Sequence, residues 1–181
     1  MKTKNKVFIA TSLDGFIADK NGEVDWLHSL PNPDNDDMGW RKFIAQIDAI
    51  VMGRNTFETV LGFDMEWPYQ VPVFVLSNTL SKVPDGYDDK AEIVNGPLKK
   101  VLEHIHNKGY YNLYIDGGKT IQSFLREDLI DEMTLTIIPY LLGGGVPLFG
   151  ALRERTLFEC RETEIFLGKA VQNRYVRNSE Q

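Results

Sequence analysis

Asn112-Leu113-Tyr114-Ile115-Asp116-Gly117-Gly118-Lys119-Thr120-Ile121-Gln122-Ser123-Phe124-Leu125 holds a strand, a turn and a helix in succession. Leu113 to Ile115 make the short apolar run of a buried strand, and Ile121, Phe124 and Leu125 fall on one face of a helix. Between them the pair Gly117-Gly118 lets the backbone turn sharply and come close to a ligand. A strand end, a glycine turn and a helix N-terminus together offer amide donors and the positive end of a helix dipole, which suit a phosphate. The same residues also suit a plain strand-to-helix turn, so the stretches upstream must decide. Gly118-Lys119-Thr120 mimics the tail of a nucleoside-triphosphate loop, but that loop requires a glycine where this chain has Leu113.

Upstream, the pattern repeats. Val7 to Ala10, Ala49 to Met52, Val73 to Leu76 and Glu92 to Val94 are short apolar runs typical of strands covered on both faces. Phe16 to Ala18 lies between the turns Thr11 to Gly15 and Asp19 to Gly22, and Pro31 to Asp37 is a polar loop. A helix is predicted from Met38, with Trp40, Phe43, Ile44 and Ile47 on one stripe. Gly53 to Thr56 opens a second helix carrying Phe57, Val60 and Leu61. Pro97 opens a third, striped by Leu98, Val101, Leu102 and Ile105. Met133 to Ile138 alternates as a strand, Gly143 to Gly145 reads as a flexible connection, and Thr156 to Phe166 with Lys169 to Val176 reads as a closing antiparallel hairpin. Alternating strands and helices predict an α/β fold: a mostly parallel central sheet with helices on both faces and an antiparallel hairpin at the end. Ligands sit beyond the carboxyl ends of such strands, and Ala10, Gly53, Ser77 and Gly117 all lie there.

With 181 residues, 43% of them hydrophobic, the chain suits a single domain, residues 1–181, with a core of its own. A net charge of -6 disfavours nucleic acid or an anionic membrane as partner. The lone Cys160 excludes an intrachain disulfide, and no signal peptide or membrane span is visible, so a soluble cytoplasmic protein is expected. His28, His104 and His106 are scattered, and no metal is predicted.

Ser12-Leu13-Asp14-Gly15-Phe16-Ile17-Ala18, Val51-Met52-Gly53-Arg54-Asn55-Thr56-Phe57-Glu58, Leu76-Ser77 and Ile115-Asp116-Gly117-Gly118, in this order, resemble the dihydrofolate reductase-like fold. The closer similarity is to its branch containing the reductase domain of riboflavin biosynthesis. The resemblance implies a three-layer fold and an NADPH-dependent oxidoreductase. Its substrate would be a small, pteridine- or pyrimidine-like heterocycle with a C=N or C=O bond, and a 5-amino-6-(5-phosphoribosylamino)uracil reductase-like activity is included. A non-catalytic NADPH-binding protein is the alternative. By the same resemblance, Arg54, Asn55 and Thr56 hold cofactor phosphates, Ser77 and Asn78 line the adenosine, Gly117, Gly118, Lys119 and Thr120 take the pyrophosphate, and Ala10 and Ile17 flank the nicotinamide. A cis peptide at the glycine pair is a family feature. Arginine's fixed donors at Arg54 favour the 2′-phosphate form of the cofactor.

For the proton, Asp37 matches the acid that such reductases carry on their first helix, with Thr136 steadying it, and Asp14 is the second candidate. Asp37 is expected to face the pocket; a helix cap and a turn aspartate are the plain alternatives. Between Arg54 and Lys82 the chain has no basic residue, and Glu66 and Trp67 stand there instead, so a folate tail or ribose phosphate finds no anion partner. Trp26, Trp40, Trp67 and Tyr69 suit either an aromatic pocket or the core. The branch's members commonly pair, and with the apolar run Tyr140-Leu141-Leu142 this predicts a homodimer.

Overall fold

A computed structural model describes residues 3–63 and 65–178. The strands are β1 (Lys4–Ser12), β2 (Phe16–Ala18), β3 (Ala49–Gly53), β4 (Val73–Leu76), β5 (Ala91–Val94), β6 (Asn112–Asp116), β7 (Glu132–Ile138), β8 (Val146–Pro147), β9 (Phe158–Phe166) and β10 (Ala170–Arg177). The helices are α1 (Trp40–Ile44), α2 (Arg54–Leu61), α3 (Leu98–Asn107) and α4 (Gly118–Arg126). An eight-stranded sheet runs in the order β5-β4-β3-β6-β1-β7-β10-β9. From β5 to β7 the pairing is parallel, and β10 is antiparallel to both β7 and β9.

Apolar runs become central strands because both their faces are covered. Ala49, Ile50, Val51 and Met52 of β3 are all fully buried. Strand alternation sends Val51 and Ile115 towards α3 and α4, and Ile50, Met52 and Tyr114 towards α1 and α2. On the first side Ile121 and Phe124 of α4 are completely enclosed, each contributing roughly 1.5–3 kcal/mol by burial. On the second, Trp40 and Phe43 of α1 pack edge to face on Tyr114 of β6.

The first helix is shorter than its stripe predicts. It ends at Ile44, and Gln46 and Ile47 are carried by i to i+3 bonds from Phe43 and Ile44. Those tighter turns still deliver Ile47 into the core, so its apolar spacing reflects burial without a full extra helical turn. Gly143 to Gly145 is held in place, where a loose connection was expected. The Gly143 amide donates to Asp14 at 2.8 Å, and a Cβ on Gly145 would lie 2.1 Å from the Ala18 carbonyl oxygen. That close approach lets β8 pair with β2, a two-strand patch too short to show a period in sequence. Leu167 and Gly168 turn the closing hairpin, both at positive φ.

Candidate active site

The carboxyl ends of β1, β3, β4 and β6 open into one cavity of about 1370 Å³. A small-molecule site typically measures about 300–1,000 Å³, and this cavity is larger. Ala10, Ile17, Arg54, Asn55, Thr56, Ser77, Asn78, Gly117, Gly118, Lys119 and Thr120 all line it. The structure therefore brings together every residue that the resemblance assigns to a cofactor.

The N-termini of α2 and α4 meet at this cavity, and neither is capped by a side chain. The first amides of a helix have no intrahelical partner, so both ends leave donors free for anionic oxygens. Two reciprocal contacts lock these ends together. A Cβ on Gly53, before α2, would come 2.8 Å from Thr120 Oγ1 of α4, and one on Gly117, before α4, would come 2.2 Å from Thr56 Oγ1 of α2. Each threonine thus fills the space that the opposite glycine leaves. Thr56 and Thr120 are packing residues of the crossing as well as part of the cavity wall. Gly117 carries the positive φ, +89°, and no cis peptide bond occurs among the described residues. Gly118 differs: its φ is ordinary, and a Cβ there would meet Ile17 Cδ1 at 2.8 Å. A side chain on Gly118 would push first on the strand patch covering the site.

Around the rim, Arg54 Nε donates to Glu58 at 2.6 Å and its Nη1 to the Thr79 hydroxyl at 3.1 Å. Ser77 Oγ accepts the Thr79 and Leu80 amides at 3.2 and 3.0 Å, so it shapes this loop, while Asn78 remains exposed on the cavity wall.

The acids fall out differently from expectation. Asp37 does not line the cavity. Its carboxylate accepts the Gly39 and Arg41 amides at 3.0 and 3.2 Å and pairs with Arg41, the plain helix-capping role. A carboxylate one turn before a helix is drawn to the free amides there. Thr136 is buried, and Gln172 Nε2 donates both to its hydroxyl and to the Met38 carbonyl, at 2.9 Å each. Thr136 therefore helps, through Gln172, to brace the loop before α1, and the Asp37 carboxylate is bonded to the Gly39 and Arg41 amides instead. Asp14 also lies off the cavity wall: it accepts Ser12 Oγ at 2.6 Å and the Leu142 and Gly143 amides. The Ser12 hydroxyl above all holds its carboxyl below the usual range; burial opposes it, and the Gly143 and Leu142 amides lower it further.

Asp116 is the aspartate that does face the cavity, whose helical wall also carries Glu58 and Glu127. It ends β6, densely surrounded by protein yet open to the cavity. Burial pushes its carboxyl up, opposed by hydrogen bonding from Tyr114 and from the Gly117 amide at 2.8 Å. The Tyr114 hydroxyl donates to the Phe8 carbonyl at 3.1 Å and is an alternative donor to Asp116. Tyr69 also lines the cavity, and burial, helped by the charge of Asp116, pushes its phenol up. Trp26, Trp40 and Trp67 pack against the cores instead. Sequence reasoning placed Asp116 only in a turn motif. The signal was present: it is the polar residue ending an apolar strand, two positions from Tyr114 and so on the same face. Among the described residues no group of three or more His, Cys, Asp or Glu is placed to hold a metal, and no helix is long and apolar enough to cross a membrane.

The profile of the RibD C-terminal domain family matches residues 5–171. The uncharacterized protein YwjB of Bacillus subtilis (strain 168) is 34% identical over 98% of this chain and 99% of its own length. A crystal structure from Shewanella sp. PV-4, assigned provisionally to riboflavin biosynthesis, shares 55% identity and superposes with a TM-score of 0.94 over 97% of this chain and 99% of that one. Dihydrofolate reductase from Enterococcus faecalis, solved with NADP(H), has the same fold at 18% identity, with a TM-score of 0.62 over 97% of each chain.

Proposed function

We propose, on the premise that this chain belongs to the RibD C-terminal domain family, that it is an NADPH-dependent reductase adding a hydride and a proton across a C=N or C=O bond of a small heterocycle. The observation that carries this reading is the pair of uncapped helix N-termini locked glycine to threonine above the strand ends. A dinucleotide fits that cradle: the first residues of α2 and α4 line the cavity, and their uncapped amides would meet its phosphates. When bound, the cofactor supplies the hydride. Arg54, Asn55 and Lys119 hold its phosphates, Ser77 and Asn78 border the adenosine, and Ala10 and Ile17 flank the nicotinamide.

The proton belongs to Asp116. A carboxyl raised by burial holds its proton to higher pH than a free one and can deliver it to a substrate nitrogen or oxygen, leaving a carboxylate beside the protonated product. Reprotonation comes through the open side of the cavity. Asp14 and Asp37 serve structure in this scheme. Because neither of them reaches the cavity, a cofactor-binding protein without turnover is the competing reading, and Asp116 separates the two.

The test is NADPH oxidation against pteridines, pyrimidines and simple imines, alongside fluorescence titration of NADPH and NADH. Turnover that collapses in Asp116→Asn while NADPH affinity is kept supports the reductase. Tight NADPH binding with no turnover of any of these substrates supports the binder. The protein acts as one cytoplasmic domain and as a homodimer. Leu13, 60% exposed, and Leu141, 71% exposed, adjoin Tyr140, whose carbonyl accepts the Leu13 amide, and together they form the patch that would pair.

A further inference from the structure

Apart from Asp116, the charged side chains of the cavity, Glu58 and Glu127 included, stand on its helical wall. Its basic side chains are Arg54 and Lys119 in the first turns of α2 and α4, and Arg126 at the far end of α4. All belong to the helical wall. At the strand ends the lining changes to Ala10, Ile9, Leu27 and Tyr69 around Asp116. Among the described residues no basic side chain forms an ion pair with Asp116, and the groups acting on it are Tyr114, Tyr69 and the Gly117 amide.

A half-buried carboxyl with two phenols and no cation beside it is an incomplete electrostatic arrangement. Once ionised, it repels an anion and is completed by a cation. A phosphate attached to the substrate would need a basic site of its own; Arg54 and Lys119 stand where the cofactor's phosphates would go, and Arg126 lies at the far end of α4, next in sequence to Glu127.

We propose that the second substrate is an unphosphorylated heterocycle with a basic nitrogen, held as a cation against Asp116 and ordered by the Tyr69 hydroxyl. On this reading the phosphoribosyl pyrimidine implied by the family resemblance fits the Asp116 end of the cavity less well than an unphosphorylated ring. This inference rests on the reductase reading in assigning the basic wall to the cofactor. The Asp116–Tyr69 pair can be tested apart from that assignment.

Three probes of similar ring size divide the alternatives: 2,4-diaminopyrimidine, which protonates readily, uracil, which is neutral, and uridine 5′-monophosphate, which is anionic. Each is titrated by thermal shift and calorimetry, with and without saturating NADPH, on the wild-type chain and on Asp116→Asn and Tyr69→Phe. Diaminopyrimidine is expected to bind tightest. Asp116→Asn should weaken it by at least about tenfold, the scale of one lost charge-assisted hydrogen bond, and Tyr69→Phe by a smaller factor, with uracil affinity unchanged in both. Uridine 5′-monophosphate binding as tightly as diaminopyrimidine with NADPH present overturns the proposal, as does diaminopyrimidine affinity unaltered in Asp116→Asn. Loss of NADPH binding in the wild type would sink the reductase reading alone, since selective capture of the cation by Asp116 would still uphold the inference.

Discussion

The carboxyl proposed to carry the proton also carries a stability cost. Asp116 is held above its ordinary value of 3.8, chiefly by burial. A group raised in the folded state contributes stability that is complete below its unfolded pKa and lost as pH rises through the folded one. Asp116→Asn removes the charge that must be buried at high pH, so the variant should melt at a higher temperature than wild type at pH 7. That advantage should shrink as pH falls towards 4. Calorimetry across that window checks it, and a melting temperature lowered at neutral pH would show that the carboxylate is stabilising. The same variant should lose most turnover, whereas Asp37→Asn should keep it. Gly117 is the second decisive residue. Its φ of +89° and the Thr56 hydroxyl 2.2 Å from a built Cβ make Gly117→Ala doubly strained. We expect a loss of roughly 1–3 kcal/mol together with cofactor binding. Thr56→Ala should restore part of the stability by removing the contact. Gly118→Ala presses on the terminal methyl of Ile17, with only ordinary contact to Val146 and Pro147, and should be milder in denaturant melts.

Among the elements, α2 and α4 act as a pair. Their free N-terminal amides supply attraction for phosphate, but amides alone do not distinguish NADPH from NADH. Arg54, pinned at the rim by Glu58 and Thr79, is the group available to do so. Arg54→Ala should therefore weaken NADPH by about 1.5–3 kcal/mol and leave NADH nearly unchanged. Equal losses for both cofactors in a fluorescence titration would assign Arg54 to packing. The β2–β8 patch is the second element that matters, because Ile17, Ala18 and Val146 bring it to the cavity wall. Asp14 fastens its turn to the 142–143 backbone. Asp14→Asn keeps one acceptor oxygen and loses the ionised one, so KM should rise more than kcat falls.

At the level of the whole molecule, the sheet places all four functional strand ends on one edge and leaves the apolar patch of Leu13, Tyr140 and Leu141 uncovered. If that patch pairs two copies, Leu141→Lys should yield monomer while leaving NADPH affinity intact. Light scattering at micromolar concentration reads the mass directly, and a monomeric wild type would remove the homodimer. Salt should matter little to this association, since the patch is apolar and screening acts on charges.

The alternation of strand and helix, the cores and the row of candidate cofactor residues were legible in the sequence, because they depend on local periods and on turn glycines. Ile121 and Phe124 announce a buried helix face wherever they occur with that spacing, and Gly117-Gly118 announces a sharp turn. The role of each acid was not legible. Asp14, Asp37 and Asp116 all sit beside glycine or at an element end, and in one dimension they look alike. Only the packed structure sets the Asp37 carboxylate on backbone amides, ties Asp14 to a loop more than a hundred residues away and brings Asp116 beside Tyr69 in the cavity. The same holds for Thr56 and Thr120, which sequence motifs offer as phosphate ligands and which the fold turns towards opposite glycines. Period and turn chemistry are properties of neighbouring residues. Solvation and charge at a side chain are properties of whatever the rest of the chain packs around it.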